Sequence, residues 1–177
     1  TGQVEDPLEK PGIIGAFCRT YSMDEALAEF LPEIYTPAED MGDDRYSFIG
    51  GSTSGGLVIY DNKLAYSHHG SDPAGGLLCN AFDLVRLHKF GDLDVDAKAD
   101  IDPGRLPSFV AMSKFSSDLK EVKKEIVRER REKAADDYED YDDLVNEAIA
   151  AADADEWVGE LETDKRGTVK STINNIV

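Results

Sequence analysis

Charge is laid down along this chain in blocks, and the blocks constrain its fold more than any motif does. From Ala134 to Asp164 there are thirteen Asp and Glu and no Lys or Arg, and directly before them, from Asp118 to Lys133, seven bases stand against five acids. A basic helix therefore runs straight into an acidic stretch. Residues 1 to 90 hold only 14 acids and 6 bases, so the fold is expected there and a charged, mostly helical region after it. Hydrophobic residues make up 41% and aromatics 8% of the 177 residues, enough to bury a core and too many for a collagen-like or wholly disordered chain. The formal net charge of -18 disfavours free binding of the whole chain to polyanionic DNA or to an anionic membrane, so any such contact must be local. Apolar runs stay far below the length that spans a bilayer, and the first thirty residues lack the basic start and apolar stretch of a signal peptide. Two cysteines, Cys18 and Cys79, allow at most one disulfide, which fits a reducing cytoplasm. No repeat at a period of 20 to 50 residues is found, so solenoids and propellers are out.

Local signals give the order of elements. Ser22-Met-Asp-Glu25 is a capping box after the apolar stretch from Pro11 to Tyr21, and the two predict a pair of short helices. Tyr46, Phe48 and Ile49, then Leu57 to Tyr60, then Leu64 to Tyr66 read as strands. The last two runs flank Asp61-Asn62, residues that tolerate the positive φ of a tight hairpin turn. His68 to Gly76 reads as a loop, and Asn80 is placed to cap a helix that Gly91 is expected to end in a left-handed conformation. Expected domains are thus a disordered 1–10, a small α+β domain over 11–91, an acidic linker over 92–106 and a charged helical region over 107–177. Within the last, helices are expected from Pro107 and from about Asp118 into the Tyr138 to Tyr141 region. Val145, Ile149, Trp157, Leu161, Val169 and Ile173 are anchors for two or three further short ones.

Most chemical motifs fail on their own requirements. Gly50-Gly-Ser-Thr-Ser-Gly-Gly56 lacks the lysine and hydroxyl residue that a phosphate loop needs past its last glycine, where Leu57 and Val58 stand. Asp92, Asp94 and Asp96 are not a calcium loop, because Ala97 takes the sixth position and Pro103 the twelfth. His68, His69 and Cys79 are the densest set of candidate zinc ligands, yet three ligands without a Cys-x2-Cys or Cys-x2-His pair fall short of a structural site. Cys18 sits in an apolar helical stretch where a buried thiol needs no metal. No cofactor is expected. Three histidines, two of them adjacent, define no nucleophile with an oriented base. The richest binding chemistry lies in Tyr66, His68, His69, Arg86, His88 and Lys89, which combine stacking rings with phosphate donors as single-stranded nucleic-acid sites do. A solvated helix face, with its histidines satisfied by backbone carbonyls, would use the same residues.

Three segments carry a family resemblance. They are Gly51-Ser-Thr-Ser-Gly-Gly-Leu-Val-Ile-Tyr60, Ala65-Tyr-Ser-His-His-Gly-Ser-Asp-Pro-Ala74 and Leu78-Cys-Asn-Ala-Phe-Asp-Leu-Val-Arg-Leu-His-Lys-Phe-Gly91. Together with the opening Pro11 to Tyr21 and the closing Lys165 to Asn175, the chain resembles the virulence-associated E family of phage and mobile-element replication proteins. The resemblance implies a primase-polymerase domain before this segment and a P-loop ATPase of helicase type after it. Neither the catalytic aspartates of the one nor the nucleotide loop of the other has a counterpart here, so the segment itself is expected to be non-catalytic. The hairpin, glycine loop and Phe82-to-Phe90 helix are also similar to the zinc-ribbon modules of primases, with most metal ligands gone and an apolar core in the metal's place. The expected role is to couple the two flanking domains and to contact single-stranded template DNA. The alternative is a protein-interaction module whose acidic stretch docks on a basic partner or mimics DNA.

Overall fold

A computed structural model of the chain describes residues 5–98 and 100–153, the side chains of Glu139, Val145 and 147–153 excepted. The chain forms two units, the first ending at Glu129 and the second beginning at Arg130. In the first, helices α1 (Gly12–Thr20) and α2 (Met23–Phe30) precede five strands, β1 (Tyr35–Pro37), β2 (Arg45–Phe48), β3 (Leu57–Tyr60), β4 (Leu64–Ser67) and β5 (Leu78–Asn80). The strands pair antiparallel in chain order, and α3 (Ala81–Phe90), α4 (Pro107–Asp118) and the start of α5 (Lys120–Asp153) follow. The expected α+β architecture is present: a small antiparallel sheet braced by helices, then a charged helical region.

Local chemistry explains the boundaries. Ser22 accepts from the Glu25 N–H while Glu25 accepts from the Ser22 N–H, so α2 starts with a complete capping box. Asp61 and Asn62 take φ of 51° and 54° in the β3–β4 turn, as the hairpin requires. Asn80 accepts from the Asp83 N–H and caps α3. Between the helices and the inner sheet face Phe17, Met23, Leu27, Leu57, Phe82, Leu84, Val85, Met112 and Val122 are buried. Phe17 meets Phe82 edge-on at 5.9 Å, a geometry aromatic rings prefer. Ala65 and Cys79 are paired across β4 and β5 and both buried.

The structure corrects several expectations. Residues 5–10 are not loose: Asp6 accepts from the Leu8 N–H and from Lys63, and Arg19 donates to the carbonyls of Leu8 and Lys10. Residues 1–4 lie outside the described part. Gly91 takes right-handed φ and ψ of -58° and -33°, and a 3-10 turn continues through Asp94. That continuation delivers the Asp94 carboxylate to Ser108, whose N–H and hydroxyl both donate to it. The described residues of segment 92–106 are therefore no loose linker: they pack α4 on α3, with a second 3-10 turn at Pro103–Arg105. The domain does not close at residue 91, because buried Met112 and Val122 complete its core.

Strands β1 and β5 are three residues each and carry too little alternation to be read from sequence. In the second unit α5 continues to Asp153, so Val145 and Ile149 belong to this helix rather than to separate short ones. Trp157, Leu161, Val169 and Ile173 lie outside the described residues. No described helix is long and apolar enough to cross a membrane.

Candidate nucleic-acid interface

Antiparallel pairing puts directly opposed residues on one face of a sheet. Arg45 opposes Val58, Val58 opposes Tyr66 and Tyr66 opposes Leu78, while Tyr60 opposes Leu64. These residues share the outer face, because their neighbours Leu57, Ile59, Ala65, Ser67 and Cys79 are the buried ones. Tyr60, Leu64, Tyr66 and Leu78 line a shallow open depression there, with Tyr60 and Leu78 each nearly half exposed. His68, exposed at the end of β4, sets its ring edge-on to Tyr66 at 4.8 Å. Arg45 anchors the other end of the row and donates to the Gly55 carbonyl at 3.0 Å.

Of the six residues expected to form one patch, the structure leaves two on this face, Tyr66 and His68. Arg86 is turned into the helical layer, where it donates to Asp83 at 3.1 Å and to the Ser108 hydroxyl at 2.8 Å. Lys89 lies over the Phe115 ring of α4 at 5.7 Å. His69 is buried, and the side chain of His88 is only 4% exposed. The reason is strand and helix geometry: His68 and His69 are consecutive and point opposite ways, while α3 turns Arg86, His88 and Lys89 toward three different surroundings.

His69 packs under the glycine loop. A Cβ on Gly56 would collide with its ring, and one on Gly51 would lie 2.8 Å from it, so two of the loop's glycines are explained by close packing on a side chain. His69 Nδ1 lies 3.4 Å from the Thr53 hydroxyl, and Nε2 has no hydrogen-bond partner among the described residues. Cys79 faces the core, where burial pushes its thiol up to about 12. His68, His69 and Cys79 are thus not brought together. Among the described residues no group of three or more side chains is arranged to hold a metal ion.

His88 belongs to a polar cluster that sequence spacing did not reveal. Asp72, whose side chain is fully buried, accepts from the Tyr35 and Ser67 hydroxyls, each at 2.6 Å, and from the Ala74 N–H at 2.8 Å. His88 Nε2 lies 3.1 Å from Asp72 and 2.8 Å from the Tyr35 hydroxyl. Tyr35 has one hydroxyl proton and spends it on Asp72, so Nε2 must carry the proton in its contact with Tyr35. Burial alone would raise the Asp72 pKa, but the bonds from His88, Ser67, Tyr35 and the Ala74 N–H outweigh it and hold the carboxyl at about 2. Burial, and then the Asp72 charge, push the Tyr35 hydroxyl up.

Serine, aspartate and histidine together suggest a triad, but the wiring is wrong for one. The Ser67 proton points at the carboxylate rather than at imidazole, and a carboxylate held at about pKa 2 is a poor base. The cluster instead clamps loop 68–76 to β1 and α3, and so fixes where His68 leaves the sheet. The chain matches no family model, no curated protein and no solved structure, so its function has to be argued from this chemistry. Tyr60 and Leu64 were legible only as strand residues, and Leu78 not even as one, because β5 is too short to be read. Their common face depends on register, which alternation within each run does not supply.

Proposed function

We propose that this chain is the non-catalytic central segment of a phage-type DNA replication protein of the cytoplasm. In this reading it lies between a primase-polymerase and a helicase-type ATPase, couples them, and lays single-stranded template on the outer sheet face. The observation that carries the reading is the row Arg45–Val58–Tyr66–Leu78, with Tyr60 beside it and His68 edge-on to Tyr66. Single-strand sites pair a cation for the phosphate with flat rings on which bases stack, and they tolerate any sequence because every base has a π-face. One guanidinium with three rings is a small site, so stacking dominates it. The resemblance in the Gly51–Tyr60, Ala65–Ala74 and Leu78–Gly91 segments supports the same placement.

The test is fluorescence anisotropy of a labelled oligothymidylate of about 20 nucleotides, a length that spans one such site. Binding is expected with a shallow salt dependence, since few phosphates are neutralised. Tyr66→Ala is expected to weaken it by about 1–2 kcal/mol. Arg86→Ala is the contrast, because that residue faces the helical layer. Equal binding by Tyr66→Ala, Tyr60→Ala and the intact chain would sink the proposal.

A further inference from the structure

In the second unit, α5 carries two patterns at once. Ala134, Tyr138 and Tyr141 follow at intervals of four and three, and Val145 and Ala148 continue the spacing in sequence. At about 100° per residue these positions fall on one narrow stripe, the spacing by which helices pair with helices. Tyr138 and Tyr141 are 66% and 64% exposed, with Leu144 beside them at 65%. Asp137 and Asp142 border the stripe on either side, and Asp136, Asp140 and Asp143 occupy the remaining surface.

We infer that this stripe is a docking surface for a basic amphipathic helix of a partner protein. Charge narrows the occupants. A second copy aligned in parallel would set Asp137 and Asp142 against carboxylates, with no Lys or Arg between Ala134 and Asp164 to relieve them. An antiparallel copy would instead bring up the bases of 118–133, and sedimentation showing that the chain alone dimerises through this helix would overturn the proposal. Nucleic acid is a polyanion and is repelled from such a face. A helix with an apolar seam and lysines or arginines at its margins satisfies both patterns. Tyrosine suits this use, because its ring gives apolar contact and accepts a cation on its face while its hydroxyl stays wet at the rim. The proposal shares no residue with the outer sheet face and stands or falls apart from it.

The probe is a labelled synthetic peptide of about 21 residues, three heptads long, built from Leu-Lys-Lys-Leu-Leu-Lys-Leu repeats and titrated with the full chain at about 0.15 M salt. Two control peptides replace every lysine by glutamate or every leucine by serine. The lysine–leucine peptide is expected to bind, and both controls to bind at least about tenfold more weakly. Tyr138→Ser with Tyr141→Ser should cost a similar factor, while phenylalanine at both positions should not. Circular dichroism checks that the helix persists. Should serine unwind it, Asp137→Asn with Asp142→Asn provides the second arm, expected to weaken the peptide and flatten its salt dependence. No binding of the lysine–leucine peptide would overturn the proposal. So would equal binding of the serine-substituted peptide, or indifference to the tyrosine and aspartate changes, since either reduces the effect to diffuse charge. Tyr66→Ala should leave the peptide affinity unchanged, which separates this result from the oligothymidylate test.

Discussion

The two units handle charge in opposite ways. In the first, ionised groups are spent in pairs: Arg19 donates to Glu125 at 2.7 Å and to Glu129 at 2.8 Å, Arg86 holds Asp83, and Asp72 is fully enclosed by four donors. In the second, the described carboxylates from Asp136 to Asp143 lie in water on a helix without a base among them. A net charge of -18 therefore says little about the sheet face, whose own charged member is Arg45. Paired charges in the first unit specify geometry, whereas the charges of the second act over distance on whatever approaches.

That contrast can be broken most severely at Asp72. Replacing it by alanine leaves the buried Tyr35 and Ser67 hydroxyls and the Ala74 N–H without their acceptor, and is expected to cost about 3 kcal/mol or more. Urea unfolding followed by circular dichroism measures it. A loss under about 1 kcal/mol would mean that the cluster is not the clamp described.

Gly56→Ala comes next, at about 1–3 kcal/mol, because the added methyl meets the His69 ring. Combined with His69→Ala, the loss should be clearly less than additive. Simple additivity of the two losses would show that the glycine loop is not shaped by that ring.

Acid should act through the same buried carboxylate. Its folded pKa of about 2 lies below the ordinary 3.8, so its contribution is fully present above about pH 4 and disappears as the pH falls from 4 towards 2. The difference corresponds to about 2 kcal/mol. Asp72→Asn removes this component, and its stability should fall less steeply across that window than that of the intact chain. Parallel acid limbs would assign the effect to other carboxylates.

The smallest effect is expected in the second unit. Tyr138→Ser touches an exposed side chain and should move the unfolding free energy by no more than about 0.5 kcal/mol. A loss of core-mutant size would erase the distinction between the two regions.

Elements written in contiguous residues were legible without a structure. The capping box at Ser22 and Glu25, the Asp61-Asn62 turn, the Asn80 cap and the long charged helix each rest on contacts within a few positions along the chain. Local spacing determines those contacts, so the sequence by itself sufficed. What it could not supply depended on who stands opposite whom. The register of β2 to β5 assembled Arg45, Tyr60, Tyr66 and Leu78 on one face, and it sent His69 inward while His68 stayed out. The helical turn of α3 took Arg86 and Lys89 to α4 and His88 to Asp72. Gly91 stayed right-handed because Asp94 had a partner in Ser108, seventeen residues beyond that glycine. Such choices are made by packing and by the need to pair each buried polar group, and these act between residues that only the tertiary fold brings together.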